Sequence, residues 1–165
     1  MSDHPMNDPM SGTSAPLGAS LTVRFQRLPS NPDLPLPERA TAGAAGYDLR
    51  SAEPDFDLEP GVPRTVATGL RMELPHGVEG QVRPRSGLAL RHAVTVPNAP
   101  GTIDPDYRGE LKVALLNLGP DGVRIRRGDR VAQLVFARFE APVVEAADSL
   151  SGSERGEGGF GSTGR

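Results

Sequence analysis

The stretch HAVTVPNAPGTIDPDYRGELKVALLNL, residues 92–118, decides the fold class. Two apolar runs, HAVTVPN (92–98) and LKVALLNL (111–118), bracket a loop crowded with Pro, Gly, Asn and Asp. Short β-rich runs between turn residues read as strands. The 111–118 run is nearly all apolar, which predicts a central strand covered on both faces.

The pattern repeats outward in both directions. Upstream lie LTVRFQRL (21–28), VPRTVATGLRMELP (62–75) and VEGQVRP (78–84); downstream lie VRI (123–125) and RVAQLVFARF (130–139). Only SGLALRH (86–92) is suited to a brief helical turn. Twenty Gly and 17 Pro in 165 residues disfavour long helices. An all-β sandwich or barrel-like fold follows.

The length suits one domain. Residues 1–20 are polar and rich in Ser, Pro and Gly, which predicts a disordered tail. The β-domain is placed at 21–144 and a flexible C-terminal arm at 145–165. The start of the chain lacks the basic and apolar pattern of a signal peptide, and no apolar run is long enough to span a membrane. The absence of Cys excludes disulfides, thiolate metal sites and a Cys nucleophile. It fits a reducing compartment, and the expected location is cytoplasmic. The net charge of −3 and the dispersed basic residues do not make a nucleic-acid surface. A small anionic ligand fits them better.

Five segments carry more chemistry than a plain β-fold needs. AGYDL (45–49) holds Asp48, which a turn could also explain through a bond to its own backbone. RPRSGLA (83–89) offers Arg guanidinium, a Ser hydroxyl and free N–H groups for phosphate. It serves equally as a turn with solvated Arg. NAPGTIDPDYRGEL (98–111) combines Asn98, whose amide can read a base edge, with Tyr107, a rigid face for a sugar. Asp104 lies between Ile103 and Pro105 and is expected to be partly buried, where it could hold and activate a water. A simple β-hairpin turn is the alternative. GDRVAQLV (128–135) places Gln133 in an apolar run, where it needs a partner: a ligand, a water or backbone. RGEGGFGSTG (155–164) can form an anion-binding nest, with Phe160 free to stack on a base. A disordered tail is the alternative, compatible with ordering on binding.

In this order, AGYDL, RPRSGLA, NAPGTIDPDYRGE, GDRVAQLV and RGEGGFGSTG closely resemble the five motifs of the trimeric dUTP pyrophosphatase family. The resemblance runs from about Leu21 to Gly164. It implies a jelly-roll-like fold of the β-clip kind, a homotrimer with sites at subunit interfaces, and a mobile C-terminal arm that covers them. It implies dUTP as substrate, Mg2+ as cofactor, and dUMP and pyrophosphate as products.

The implied roles map onto single residues. Asn98, Thr102 and Ile103 resemble the uracil pocket, Tyr107 the residue that packs on deoxyribose, and Lys112 borders the nucleotide. Asp104 matches the carboxylate that orients the attacking water, and Gln133 a residue contacting the α-phosphate and that water. Asp48 matches the acidic residue near the magnesium, acting through water; Arg85, Ser86 and Gly87 match the phosphate loop. On the arm, Arg155 would meet the terminal phosphate, Phe160 would stack on uracil, and Gly161, Ser162 and Thr163 would wrap the phosphates. At His92-Ala93 the family frequently has a Gly. A dCTP deaminase, using Glu110, and a silent nucleotide-binding β-domain are the rival readings.

Overall fold

A computed structural model describes residues 21–159. Among them are eleven short strands and one helix. In chain order the strands are β1 (Arg24–Arg27), β2 (Tyr47–Arg50), β3 (Phe56–Leu58), β4 (Arg64–Ala67), β5 (Leu70–Glu73) and β6 (Val78–Arg83). After helix α1 (Ser86–His92) come β7 (Val94–Thr95), β8 (Gly101–Ile103), β9 (Lys112–Asn117), β10 (Val123–Ile125) and β11 (Arg130–Arg138). The architecture is all-β and jelly-roll-like.

Every pair of named strands is antiparallel. One sheet has the order β2-β11-β6-β8 and a second β4-β9-β7; β1-β5 and β10-β3 form two-stranded ribbons. The inward faces meet in one core that includes Leu49, Leu58, Val66, Val82, Val113, Leu115, Ile125, Val131 and Leu134. Burying each such side chain stabilises the fold by roughly 1.5–3 kcal/mol before entropy is counted. In β5, Leu70 and Met72 point in while Arg71 and Glu73 point out, the two-residue period of a half-buried strand.

The run at 62–75 is two strands, not one. Gly69 breaks it with φ +63°, and a Cβ there would lie 2.4 Å from the Cβ of Asn31. Strand β9 is central in its sheet as expected; Val113, Leu115 and Asn117 are fully buried, and Ala114 and Leu116 are half-buried. The segment around Asn98 is not a hairpin between its flanking strands. β7 pairs with β9, whereas β8 pairs with β6. The loop after β8 therefore crosses from one sheet to the other.

Arg127 ties the loops beneath the core. Its guanidinium donates to the carbonyls of Ala52 and Ser30 and meets Asp33 Oδ1 at 2.6 Å. That hydrogen bond holds the Asp33 carboxyl below its ordinary pKa. Residues 139–157 have neither strand nor helix and are exposed throughout. No helix among the described residues is long and apolar enough to cross a membrane.

Candidate active site

Two clefts gather most of the residues singled out in the sequence. The first, about 360 Å3, is lined by Gly46, Asp48, Arg83, Arg85, Ser86, Arg130 and Gln133, among others. Strand pairing explains the assembly. β11 runs between β2 and β6, so Gln133 lies opposite Asp48 on one side and Arg83 on the other. Asp48 is thus a strand residue, not a turn former. Its Oδ1 is 3.0 Å from Arg85 Nε and its Oδ2 is 3.1 Å from Arg130 Nη1. Two guanidinium groups around one carboxylate leave a surplus positive charge facing the cleft, as an anion site requires.

Arg85 follows β6 after Pro84 and directly precedes helix α1; its carbonyl accepts from the N–H groups of Leu88 and Ala89. Its Nη1 also donates to the Arg130 carbonyl at 3.1 Å. Ser86 and Gly87 open the helix. Gln133 Nε2 donates to the Pro84 carbonyl at 2.9 Å, so its partner in this structure is backbone. That bond pins the Arg83-Pro84-Arg85 turn to β11. Gly46 makes it possible, because a Cβ at 46 would stand 2.2 Å from Gln133 Oε1.

The second cleft, about 190 Å3, is lined by Thr102, Ile103, Asp104, Tyr107, Glu110 and Lys112. Tyr107 OH donates to the Glu110 carbonyl at 3.0 Å, and the ring lies over Gly109. Asp104 is exposed, against the expectation of partial burial. The physical reason is alternation: Ile103 and Pro105 turn toward the protein and Asp104 turns away. Lys112 is exposed, with Nζ 3.8 Å from Glu110 Oε2. Asn98 is exposed beside this strand, and its Nδ2 lies 3.1 Å from where a Cβ on Gly101 would be.

The two clefts share no lining residue. Arg155 reaches neither; its Nε donates to the Gly158 carbonyl at 2.7 Å within its own exposed loop. Phe160, Gly161, Ser162 and Thr163 lie outside the described residues, as does the segment 1–20. Arg130 and Glu110 are the residues whose roles sequence reading missed. Arg130 stood inside a quoted motif, but only strand register brings it to Asp48.

The family model for dUTPase matches residues 33–164 of this chain. A deoxyuridine 5'-triphosphate nucleotidohydrolase of Solibacter usitatus is 54% identical over 145 residues, covering 88% of this chain and 97% of that protein. The chain belongs to the dUTPase family. A relative of the same description from Caulobacter vibrioides is 55% identical over 150 residues, covering 88% of this chain and 96% of its own length. A solved structure of the Staphylococcus bacteriophage 80alpha dUTPase with dUPNHPP superposes with a TM-score of 0.79 at 30% identity. The match covers 87% of this chain and 99% of that one. Within the family match fall both clefts and the segment from Arg155 to Gly164.

Glu110, the residue a deaminase would need, is engaged otherwise. Its Oε1 accepts the Gly69 N–H at 2.9 Å.

Proposed function

We propose that this dUTP diphosphatase binds the nucleoside of dUTP in the Thr102–Lys112 cleft and its phosphates in the Asp48–Arg85–Arg130 cleft. The observation that carries the reading is the pairing of a cationic cleft with a separate small cleft holding an exposed Asp and a pinned Tyr. A triphosphate and a nucleoside need those two environments. In the homotrimer that the motif resemblance implies, each site would combine these clefts from different subunits.

Water attacks the α-phosphorus, the bond to the bridging oxygen breaks, and pyrophosphate leaves with dUMP as the other product. Phosphoryl transfer depends mainly on positioning and charge stabilisation. Asp104 orients the water and is the candidate acceptor of its proton; Arg85, Ser86 and Gly87 hold phosphate oxygens. Asn98, Thr102 and Ile103 read uracil, and Tyr107 packs on the deoxyribose. Gln133 holds the phosphate loop through Pro84 and faces the α-phosphate. The arm brings Arg155 to the terminal phosphate and Phe160 to the base, with Gly161, Ser162 and Thr163 closing over the chain.

The residues fit magnesium carried by the substrate. Asp48 is the single carboxylate lining the phosphate cleft, and no three His, Asp or Glu converge as a cage among the described residues. Mg2+ retains waters and is bound largely through substrate phosphates, so one carboxylate acting through water suffices. When bound, the ion would neutralise charge on the phosphate chain. In a cytoplasmic setting the reaction would keep uracil out of DNA and supply dUMP for dTMP synthesis.

The test is pyrophosphate release from dUTP, dCTP, dTTP and UTP, with and without EDTA, by the wild type and Asp104→Asn. Release from dUTP alone, abolished by EDTA and by the substitution, is expected. Release from no nucleotide would leave a binding domain as the better account; ammonia from dCTP would indicate a deaminase.

A further inference from the structure

Glu110 stands at the junction of the nucleoside cleft and the core, where its own carboxylate and the backbone of Leu111 bond to the 68–70 segment. Its carboxylate takes the Gly69 N–H at 2.9 Å, and the next residue, Leu111, donates its N–H to the Leu70 carbonyl at 2.7 Å. The Leu111 carbonyl in turn accepts Thr68 Oγ1 at 2.6 Å. Buried Asn31 holds the Thr68 carbonyl through Nδ2 at 2.9 Å. The Gly69 backbone has little freedom to move, because its φ of +63° and the Asn31 side chain packed against it define the turn.

Tyr107 depends on this anchor. Its hydroxyl donates to the backbone carbonyl of Glu110 at 3.0 Å. The ring approaches Gly109 so closely that a Cβ there would lie 2.3 Å from the hydroxyl oxygen. Tyr107 is itself exposed, so little packing holds it in place. The Glu110 carbonyl is the one hydrogen-bond partner of its side chain among the described residues.

We propose that Glu110 is a positioning residue for nucleoside selection, clamping the carbonyl that aims the Tyr107 ring through its own carboxylate on Gly69. The proposal rests on the nucleoside reading of this cleft. A carboxylate accepting a backbone N–H makes a charge-assisted bond, stronger than a neutral one. Without it the Gly69 N–H loses its partner and the 109–110 backbone loosens at its outer end. Tyr107 then shifts, and the wall against the sugar widens. The Asp104 backbone is anchored on its other side by the pairing of β8, which ends at Ile103, with β6, and its carbonyl accepts the Tyr107 N–H at 3.1 Å. Nucleotide affinity and sugar preference therefore change more than the chemical step does.

The experiment measures kcat and KM for dUTP and UTP with the full chain as wild type, Glu110→Ala, Glu110→Gln and Tyr107→Ala, with melting temperatures alongside. Glu110→Ala is expected to raise KM for dUTP about ten-fold with kcat within about two-fold, the pattern of binding lost equally from ground state and transition state. It should lower the preference for dUTP over UTP in the same direction as Tyr107→Ala. Glu110→Gln keeps an oxygen for the Gly69 N–H and should recover most of both losses. A lower melting temperature for Glu110→Ala with wild-type KM and preference would overturn the assignment, as would failure of Glu110→Gln to recover. Altered preference in Tyr107→Ala alone would reject the clamp and leave the nucleoside reading standing. Unaltered preference in both variants would reject both.

Discussion

Asp48 and Arg85 meet at the floor of the phosphate cleft, Oδ1 to Nε at 3.0 Å, both largely shielded from solvent. The pair is asymmetric, because Arg130 claims the other carboxylate oxygen at 3.1 Å. One carboxylate keeps two guanidinium groups close together without mutual repulsion and leaves a net positive charge for phosphate.

Asp48→Asn removes the charge that holds them. The amide keeps one acceptor oxygen, but the two arginines then repel across it. Stability should fall by about 1–3 kcal/mol, the range for a partner left unsatisfied in a shielded site. Turnover of dUTP should fall by at least about ten-fold, with more Mg2+ needed for half-maximal rate. An unchanged magnesium titration and rate would exclude Asp48 from both tasks.

Gly46→Ala acts through its neighbour across the sheet. The new Cβ would stand 2.2 Å from Gln133 Oε1, so Gln133 must swing away and release the Pro84 carbonyl. The expected result is a folded protein with a loosened phosphate loop and a raised KM for dUTP. Circular dichroism and steady-state kinetics check it. Wild-type KM would show that the Gln133–Pro84 bond does not order the loop.

Ala93→Gly should stabilise the protein. Ala93 caps helix α1 with φ +54° and ψ +26°, a left-handed conformation. An L-residue there costs roughly 1–2 kcal/mol, and Gly avoids that strain while losing more entropy on folding. A net gain of about 0.5 kcal/mol corresponds to a melting shift of roughly 1–2 °C in a chain of this size. A fall in melting temperature would mean that packing of the Ala93 methyl outweighs the backbone strain.

Ending the chain before Arg155 should leave the body intact. The last strand stops at Arg138, and residues 139–157 are exposed without strand or helix. Melting should change little while dUTP turnover falls by about a hundred-fold or more, as when groups that act on the transition state are lost. Turnover close to wild type would remove the arm from the reaction.

Much of this protein could be read along the chain, because the readable features are local. Alternation and turn residues marked β6 and β11, the 86–92 helix matched α1 residue for residue, and Gly128-Asp129 forms the turn before β11. The ordered motifs named the family, since each is a short contiguous string. β3 escaped notice because it has three residues in an acidic stretch, and only its pairing with β10 makes it a strand. β2 is not marked by local pattern, because Gly46 and Asp48 suit a turn as well as a strand until the pairing with β11 is known.

Sequence alone determined the all-β class, the order of the motifs and the residues available for chemistry. The tertiary structure decided which of them meet. Arg130 reaches Asp48 because β11 pairs with β2, and Gln133 reaches Pro84 because the same strand pairs with β6. Glu110 finds Gly69 across 41 residues of chain. Such contacts depend on strand register, which long-range packing of the buried faces sets and which no local pattern encodes.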